Sequence, residues 1–247
     1  MKEISLNKNL NAFHLKIIAI IAMLLNHLGS GFKIGISHPY LYLFTETIGK
    51  LTFPIMAFLL VEGFYHTRNF KKYALRLAVF WIISIVPFKL YFFENRPFIF
   101  TDLFNNIMFT LLMGLLMMYC LQKYKNFSFI IVLIFMFLTS FSDWGIFGII
   151  IIFCYYNIKD EVLKVVNPTI FVALPTIIIT LLAKVSDPSF SSIYVIEGIG
   201  MAGIFLTIPL LLKYNGERGY SPNWVKYGFY LFYPLHLTVL LIIRNYI

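Results

Sequence analysis

The residues that could do chemistry are the few polar and ionisable side chains set inside long apolar runs. His27 follows Asn26 near the end of the first run, and His236 follows Tyr233-Pro234-Leu235 in the last, with no further ionisable side chain until Arg244. Glu62 and His66 are four residues apart, so a helix carries both on one face. There the carboxylate either orients the imidazole for proton transfer or joins it in a hydrogen bond at a helix end. Glu46 and Lys50 share that spacing and read as an ion pair. Asp143 lies in Ser142-Asp143-Trp144-Gly145, between two apolar stretches. Imidazole is the side chain that exchanges a proton near neutral pH. His27, His66 and His236 are therefore the candidate general bases, His236 foremost, with Glu62 or Asp143 as the orienting acid. Each histidine equally suits a bond between packed helices. Arg68, Lys71, Lys72 and Arg76 form a dense basic cluster that either sets membrane topology or makes an anion pocket for phosphate groups. No phosphate-binding glycine loop, Ser-His-Asp order or HExxH pattern accompanies them. No serine or cysteine nucleophile has an evident neighbouring base. Cys120 and Cys154 show no metal-ligand spacing, so no metal site is expected.

The elements that must hold these residues are transmembrane helices. Hydrophobic residues make up 60% of the 247 and charged residues 13%, about half the charged share of a soluble domain. Mean hydropathy is +0.82. No polar region is long enough for a soluble domain, so residues 1–247 read as a single membrane domain. A crossing needs roughly 20 apolar residues. Nine stretches come near that: 13–32, 40–66, 73–93, 100–121, 127–141, 144–158, 168–186, 192–213 and 225–243. The fifth and sixth are short, which leaves open a tilted or re-entrant pair around Asp143. The expected fold is an all-α polytopic bundle of about nine transmembrane helices. Pro54, Pro87, Pro209 and Pro234 are expected to kink the spans that hold them.

The net charge of +9 comes in short clusters between the apolar runs. That favours a bilayer over nucleic acid as the partner. With the N-terminus in the cytoplasm, 14 of the 20 lysines and arginines fall inside, among them Lys2, and the remainder, including Lys33, fall outside or in the outer half. Nine crossings then put the C-terminus outside. The basic N-terminal segment is signal-like, but no small-x-small cleavage pattern follows, so it reads as a retained first span of a multi-pass cytoplasmic-membrane protein.

The stretch from Ile48 to Arg68 holds Gly49-Lys50, Phe53-Pro54, Phe58, Val61-Glu62-Gly63 and His66-Thr67-Arg68. It resembles the "GR-x-x-FP-x-x-x-F-x-x-VEG-x-x-HTR" pattern of the TraX family. Tyr73–Leu77, Asn106–Leu112, Asp143–Gly148 and Tyr230–Leu237 resemble further family blocks, so the likeness covers most of the chain. It departs at Asn26-His27, where the family usually has Asp-His. It departs again at Ser84–Lys89, where two acidic positions of "SE-x-PFD" become Ile85 and Lys89. The resemblance implies an acyltransferase, since the family's namesake is associated with N-terminal acetylation of a conjugative pilin. Acetyl-CoA or another acyl-CoA would be the donor, with its phosphates on Arg68, Lys71, Lys72 and Arg76. A peptide, glycan or lipid-linked acceptor would lose its proton to His27, His66 or His236 and attack the thioester directly. The rival reading is a non-enzymatic protein, either a transporter or a subunit of a membrane complex.

Overall fold

The structure, a computed structural model, describes residues 8–32 and 34–246; Lys2 and Lys33, which entered the charge count, lie outside them. Among the described residues the chain is helical: α1 (Ala12–Gly31), α2 (Ile34–Ser37), α3 (Pro39–Gly49), α4 (Thr52–His66), α5 (Phe70–Phe93), α6 (Ile107–Lys123), α7 (Ser128–Leu138), α8 (Gly145–Asn157), α9 (Glu161–Ser186), α10 (Ser192–Gly200), α11 (Thr207–Leu212) and α12 (Asn223–Tyr246). Short polar side chains start the helices by accepting from backbone amides that have no carbonyl partner. Asn11 caps α1, Asn69 caps α5, Asn106 caps α6 and Asp160 caps α9.

Six stretches are long and apolar enough to cross a bilayer: 12–31, 39–66, 70–93, 161–186, 192–212 and 223–246. The chain is thus a multi-pass helical membrane protein. Its outward faces fit that solvent, since Phe129 and Phe137 of α7 and Ile179 and Val185 of α9 are each well over half exposed. The other three apolar segments are shorter. α7 and α8 have 11 and 13 residues, about 17 and 20 Å of helix against a hydrocarbon core of about 30 Å. They form a hairpin whose turn meets the start of α6, where the Asp143 amide donates to the Asn105 carbonyl at 2.9 Å. That turn lies at mid-depth, because Asn106 Nδ2 donates to the carbonyl of Trp81, the twelfth of the 24 residues of α5. The pair around Asp143 is therefore a hairpin that turns inside the bundle, one of the arrangements its short lengths left open. The stretch expected from residue 100 begins its helix at Ile107, after a 3-10 turn over Phe100–Leu103.

Two crossings are broken. The second bends at Lys50 and Leu51 between α3 and α4, and the eighth passes through a 3-10 segment, Met201–Leu206, between α10 and α11. Pro54 and Pro209 stand in the first turn of α4 and α11, where a missing N–H costs nothing. They mark restarts, which corrects the expectation that they kink continuous helices. Pro87 and Pro234 do lie inside α5 and α12. The breaks touch: Gly203 presses on the Thr47 carbonyl so closely that a Cβ would overlap it, and one on Gly200 would meet Glu46 Cβ at 3.0 Å. Elsewhere Gly148 lets α8 approach Thr110 and Phe53. Arg244 ties the far ends of α12, α5 and α1 together, donating to Tyr91 O and Glu94 Oε2 at 2.8 Å each and to Gly31 O at 3.4 Å.

Candidate functional site

The bundle brings His27 and His236, 209 residues apart in sequence, into direct contact. Nδ1 of His27 and Nε2 of His236 are 2.6 Å apart, and the rings meet edge to edge in nearly one plane, with centroids 4.9 Å apart and 6° between their planes. Both side chains are buried, with Tyr91 and Phe92 beside the His27 ring and Phe232 stacked on His236. The bonding order decides the tautomers. His236 Nδ1 faces the Phe232 carbonyl at 2.7 Å, and a carbonyl can only accept, so Nδ1 carries the proton. A neutral imidazole then offers a lone pair at Nε2, so His27 Nδ1 is the donor between the rings. The free lone pair falls on His27 Nε2, which makes no hydrogen bond among the described residues. The Tyr91 hydroxyl donates to the His27 carbonyl and steadies the end of α1. His27 thus presents an imidazole base, and His236 stands behind it as the acceptor that sets its tautomer and tilt.

One helical face away lies a second polar group. Asn26 Nδ2 donates to Glu46 Oε1 at 2.6 Å, and Lys50 Nζ donates to Glu46 Oε2 at 3.0 Å. The Glu46–Lys50 pair expected from its spacing is present, and Asn26 completes it. An aspartate at position 26 would set two carboxylates against each other, so the amide suits this partner. Asp143 sits in the turn between α7 and α8, its amide held by the Asn105 carbonyl. The turn that carries it is strained, because Trp144 adopts a left-handed φ of 62°, uncommon for a bulky residue. Stacking of Trp144 on Phe53 at 4.8 Å holds it there. The Tyr233 hydroxyl is buried without a partner.

The substituted acidic positions have settled local roles. Lys89 is buried and donates to the Arg96 carbonyl at 2.6 Å, and Ile85 is buried. Nearby, Asp102 accepts from Arg96, the Ile99 amide and Asn105. Burial works to raise its carboxyl, but Arg96, the Ile99 amide and Lys89 outweigh it and leave Asp102 below the usual carboxylate range.

Glu62 and His66 lie at the opposite, basic end. His66 Nδ1 donates to the Glu62 backbone carbonyl at 2.9 Å and makes no bond with its carboxylate. Both line a cavity of about 440 Å3 enclosed by α1, α4, α5, α6, α12 and the 214–218 loop. Of the basic cluster only Arg76 lines it, whereas Arg68, Lys71 and Lys72 are exposed outside. The cations that join Arg76 are Lys16, Arg218 and Lys226, which the sequence reading had used only to set orientation. Glu197 was also passed over. It lies in an apolar run and accepts from the Tyr42 hydroxyl at 2.8 Å, so the criterion that found His236 could have found it. Among the described residues no three histidine, cysteine or acidic side chains converge on a metal-binding geometry, and both cysteines are free.

The TraX protein family matches residues 12–244. The probable fimbrial assembly protein FimC, serogroup H1, of Dichelobacter nodosus is 31% identical, over 96% of each chain. No solved structure matches. A match reaching from the first turn of α1 to the last turn of α12, with a relative aligned along nearly its whole length, makes this chain a member of the TraX family.

Proposed function

We propose that the protein is a membrane acyltransferase that moves an acetyl or other acyl group from acyl-CoA to an amine or hydroxyl of an exported acceptor. In keeping with the name of its fimbrial relative, the acceptor class is a pilin-like or fimbrial subunit. The observation that carries this reading is the buried imidazole pair, with its free lone pair on His27 Nε2. The acceptor N–H or O–H gives its proton to that nitrogen as its heavy atom attacks the thioester carbonyl. The tetrahedral intermediate then collapses, the carbon–sulfur bond breaks, and the imidazolium returns the proton to the departing thiolate. The products are acylated acceptor and free CoA, and no acyl-enzyme is formed. Charge on His27 during attack is shared toward His236 through the 2.6 Å bond, and the apolar walls of Tyr91 and Phe92 keep water from the thioester. Asn26, Glu46 and Lys50 lock α1 to α3 and position His27. The N-terminus lies in the cytoplasm and the donor enters from the basic end, in accord with the bias of lysine and arginine.

The two broken crossings beside Glu46 also suit the rival, a binding or transport protein with a midplane site. One experiment separates them. Purified protein in detergent is given acetyl-CoA and a peptide copying the N-terminus of a pilin subunit, and free CoA thiol and peptide mass are followed. Acceptor-dependent thiol release with a matching mass gain is expected. Failure to acylate any peptide, together with loss of no acyl mark from the envelope of a deletion strain, would overturn the reading in favour of the rival.

A further inference from the structure

Four cations face one cavity at the basic end with a single carboxylate, Glu62, among its lining residues. Lys16 comes from α1, Arg76 from α5, Lys226 from α12 and Arg218 from the loop before α12. None of the four forms an ion pair among the described residues, and Arg76 Nε is buried without a hydrogen-bond partner. Like charges gathered around a recess repel, and the arrangement is favourable only when an anion fills it.

Arg218 is held there by construction. Leu10 N donates to Lys213 O at 3.0 Å, Asn215 N to Leu10 O at 2.8 Å, and Ala12 N to Glu217 O at 2.9 Å, clamping the loop to the start of α1. Gly219, at φ 67°, lies so close to Asn11 that a Cβ would sit 2.5 Å from its side chain. At about 440 Å3 the cavity falls within the usual range for small-molecule sites, about 300–1,000 Å3.

We infer that this cavity is a phosphate site, built by Lys16, Arg76, Arg218 and Lys226 for a ligand carrying several phosphate charges. Under the proposed acyl transfer, on which the ligand's identity rests, those charges are the phosphates of the CoA donor. The path to the imidazole pair is written along two helices. Lys16 and His27 are eleven residues apart on α1, and Lys226 and His236 ten apart on α12, rises of about 16 and 15 Å. Tyr230 and Tyr233 follow Lys226 at helical spacing on the way. Phosphates held at the basic end leave the long, flexible pantetheine arm to carry its thioester inward. An anionic phospholipid headgroup presents the same phosphate chemistry at a membrane surface, so the two sources are tested apart.

The full chain is titrated with CoA in detergent as wild type, as Arg218→Gln/Lys226→Gln, and as Arg68→Gln/Lys71→Gln/Lys72→Gln. CoA affinity is expected to fall at least tenfold in the first variant, with a shallower dependence on salt, and to stay within twofold in the second. Arg218→Lys/Lys226→Arg is expected to restore most of the binding, which separates charge from folding. A parallel arm follows retention of phosphatidylglycerol by native mass spectrometry. If CoA does not bind but phosphatidylglycerol is retained and lost in Arg218→Gln/Lys226→Gln, the phosphate site stands and the acyl-CoA donor falls. If neither ligand responds to that variant, or the exposed-cluster variant takes the whole loss, the inference is overturned.

Discussion

Replacing His27 by glutamine bears most directly on the order of the two imidazoles. The amide keeps a donor for His236 Nε2 and fills much of the space beside Tyr91 and Phe92. The packing loss is therefore about 1 kcal/mol, the ordinary cost of a point change. What the amide lacks is a basic lone pair. Loss of a general base slows transfer by about 10²–10⁴-fold, equivalent to roughly 2.7–5.5 kcal/mol on the barrier, well beyond the stability change. His236→Leu differs in kind. It leaves the His27 Nδ1–H buried without an acceptor, a cost of about 1–3 kcal/mol, and frees the ring to turn or change tautomer. His236→Gln keeps a carbonyl acceptor and should retain more activity than His236→Leu, whereas His27→Gln should not be rescued by any change at position 236. The assay is acceptor-dependent thiol release from acetyl-CoA by purified protein, with thermal melting in the same detergent and CoA binding as controls. A folded His27→Gln variant that binds CoA and transfers within threefold of wild type would refute the assignment of His27 as base.

Acidification should find a weak point at Asp102. Its folded carboxyl lies below the usual value, so its stabilisation is full above the unfolded pKa of about 3.9 and is lost as pH falls through the folded value. Melting followed downward from pH 5 should fall more steeply in wild type than in Asp102→Asn, which should be less stable at pH 7, and parallel curves would contradict this. Gly203→Ala places a methyl where the Thr47 carbonyl stands, so the 3-10 segment must leave α3, and a drop in melting temperature of several degrees is expected in detergent. An unchanged melt would show that the two broken crossings are free to separate. For orientation, a reporter fused after Lys125 should read as cytoplasmic and one at the C-terminus as external. The hairpin of α7 and α8 leaves that result unchanged, because both of its ends return to one side, and a cytoplasmic C-terminus would refute it.

Much of this protein was legible from its sequence because hydropathy, capping and motif are local quantities. An apolar window long enough to cross a bilayer is a sum over consecutive residues, and each of the nine stretches expected on that ground holds helix, six of them long and apolar enough to cross. Asn and Asp at the starts of α1, α5, α6 and α9 act on amides two or three residues ahead, and Glu46 finds Lys50 one turn away. The run from Ile48 to Arg68 resembles the family's pattern, and the family matches over residues 12–244. What the sequence left open is whatever depends on which helix faces which. His27 and His236 were separate candidates until α1 and α12 lay side by side, and only the Phe232 carbonyl behind His236 ordered them. Glu62 and His66 had the right spacing, but a side chain at that spacing can bond the backbone as readily as its neighbour, and here it does. Arg68, Lys71 and Lys72 were conspicuous because they are adjacent in the chain, yet adjacency on a helix points side chains in different directions. The cations that share a cavity with Arg76 come from three other segments, joined by packing energies that no single stretch of sequence contains.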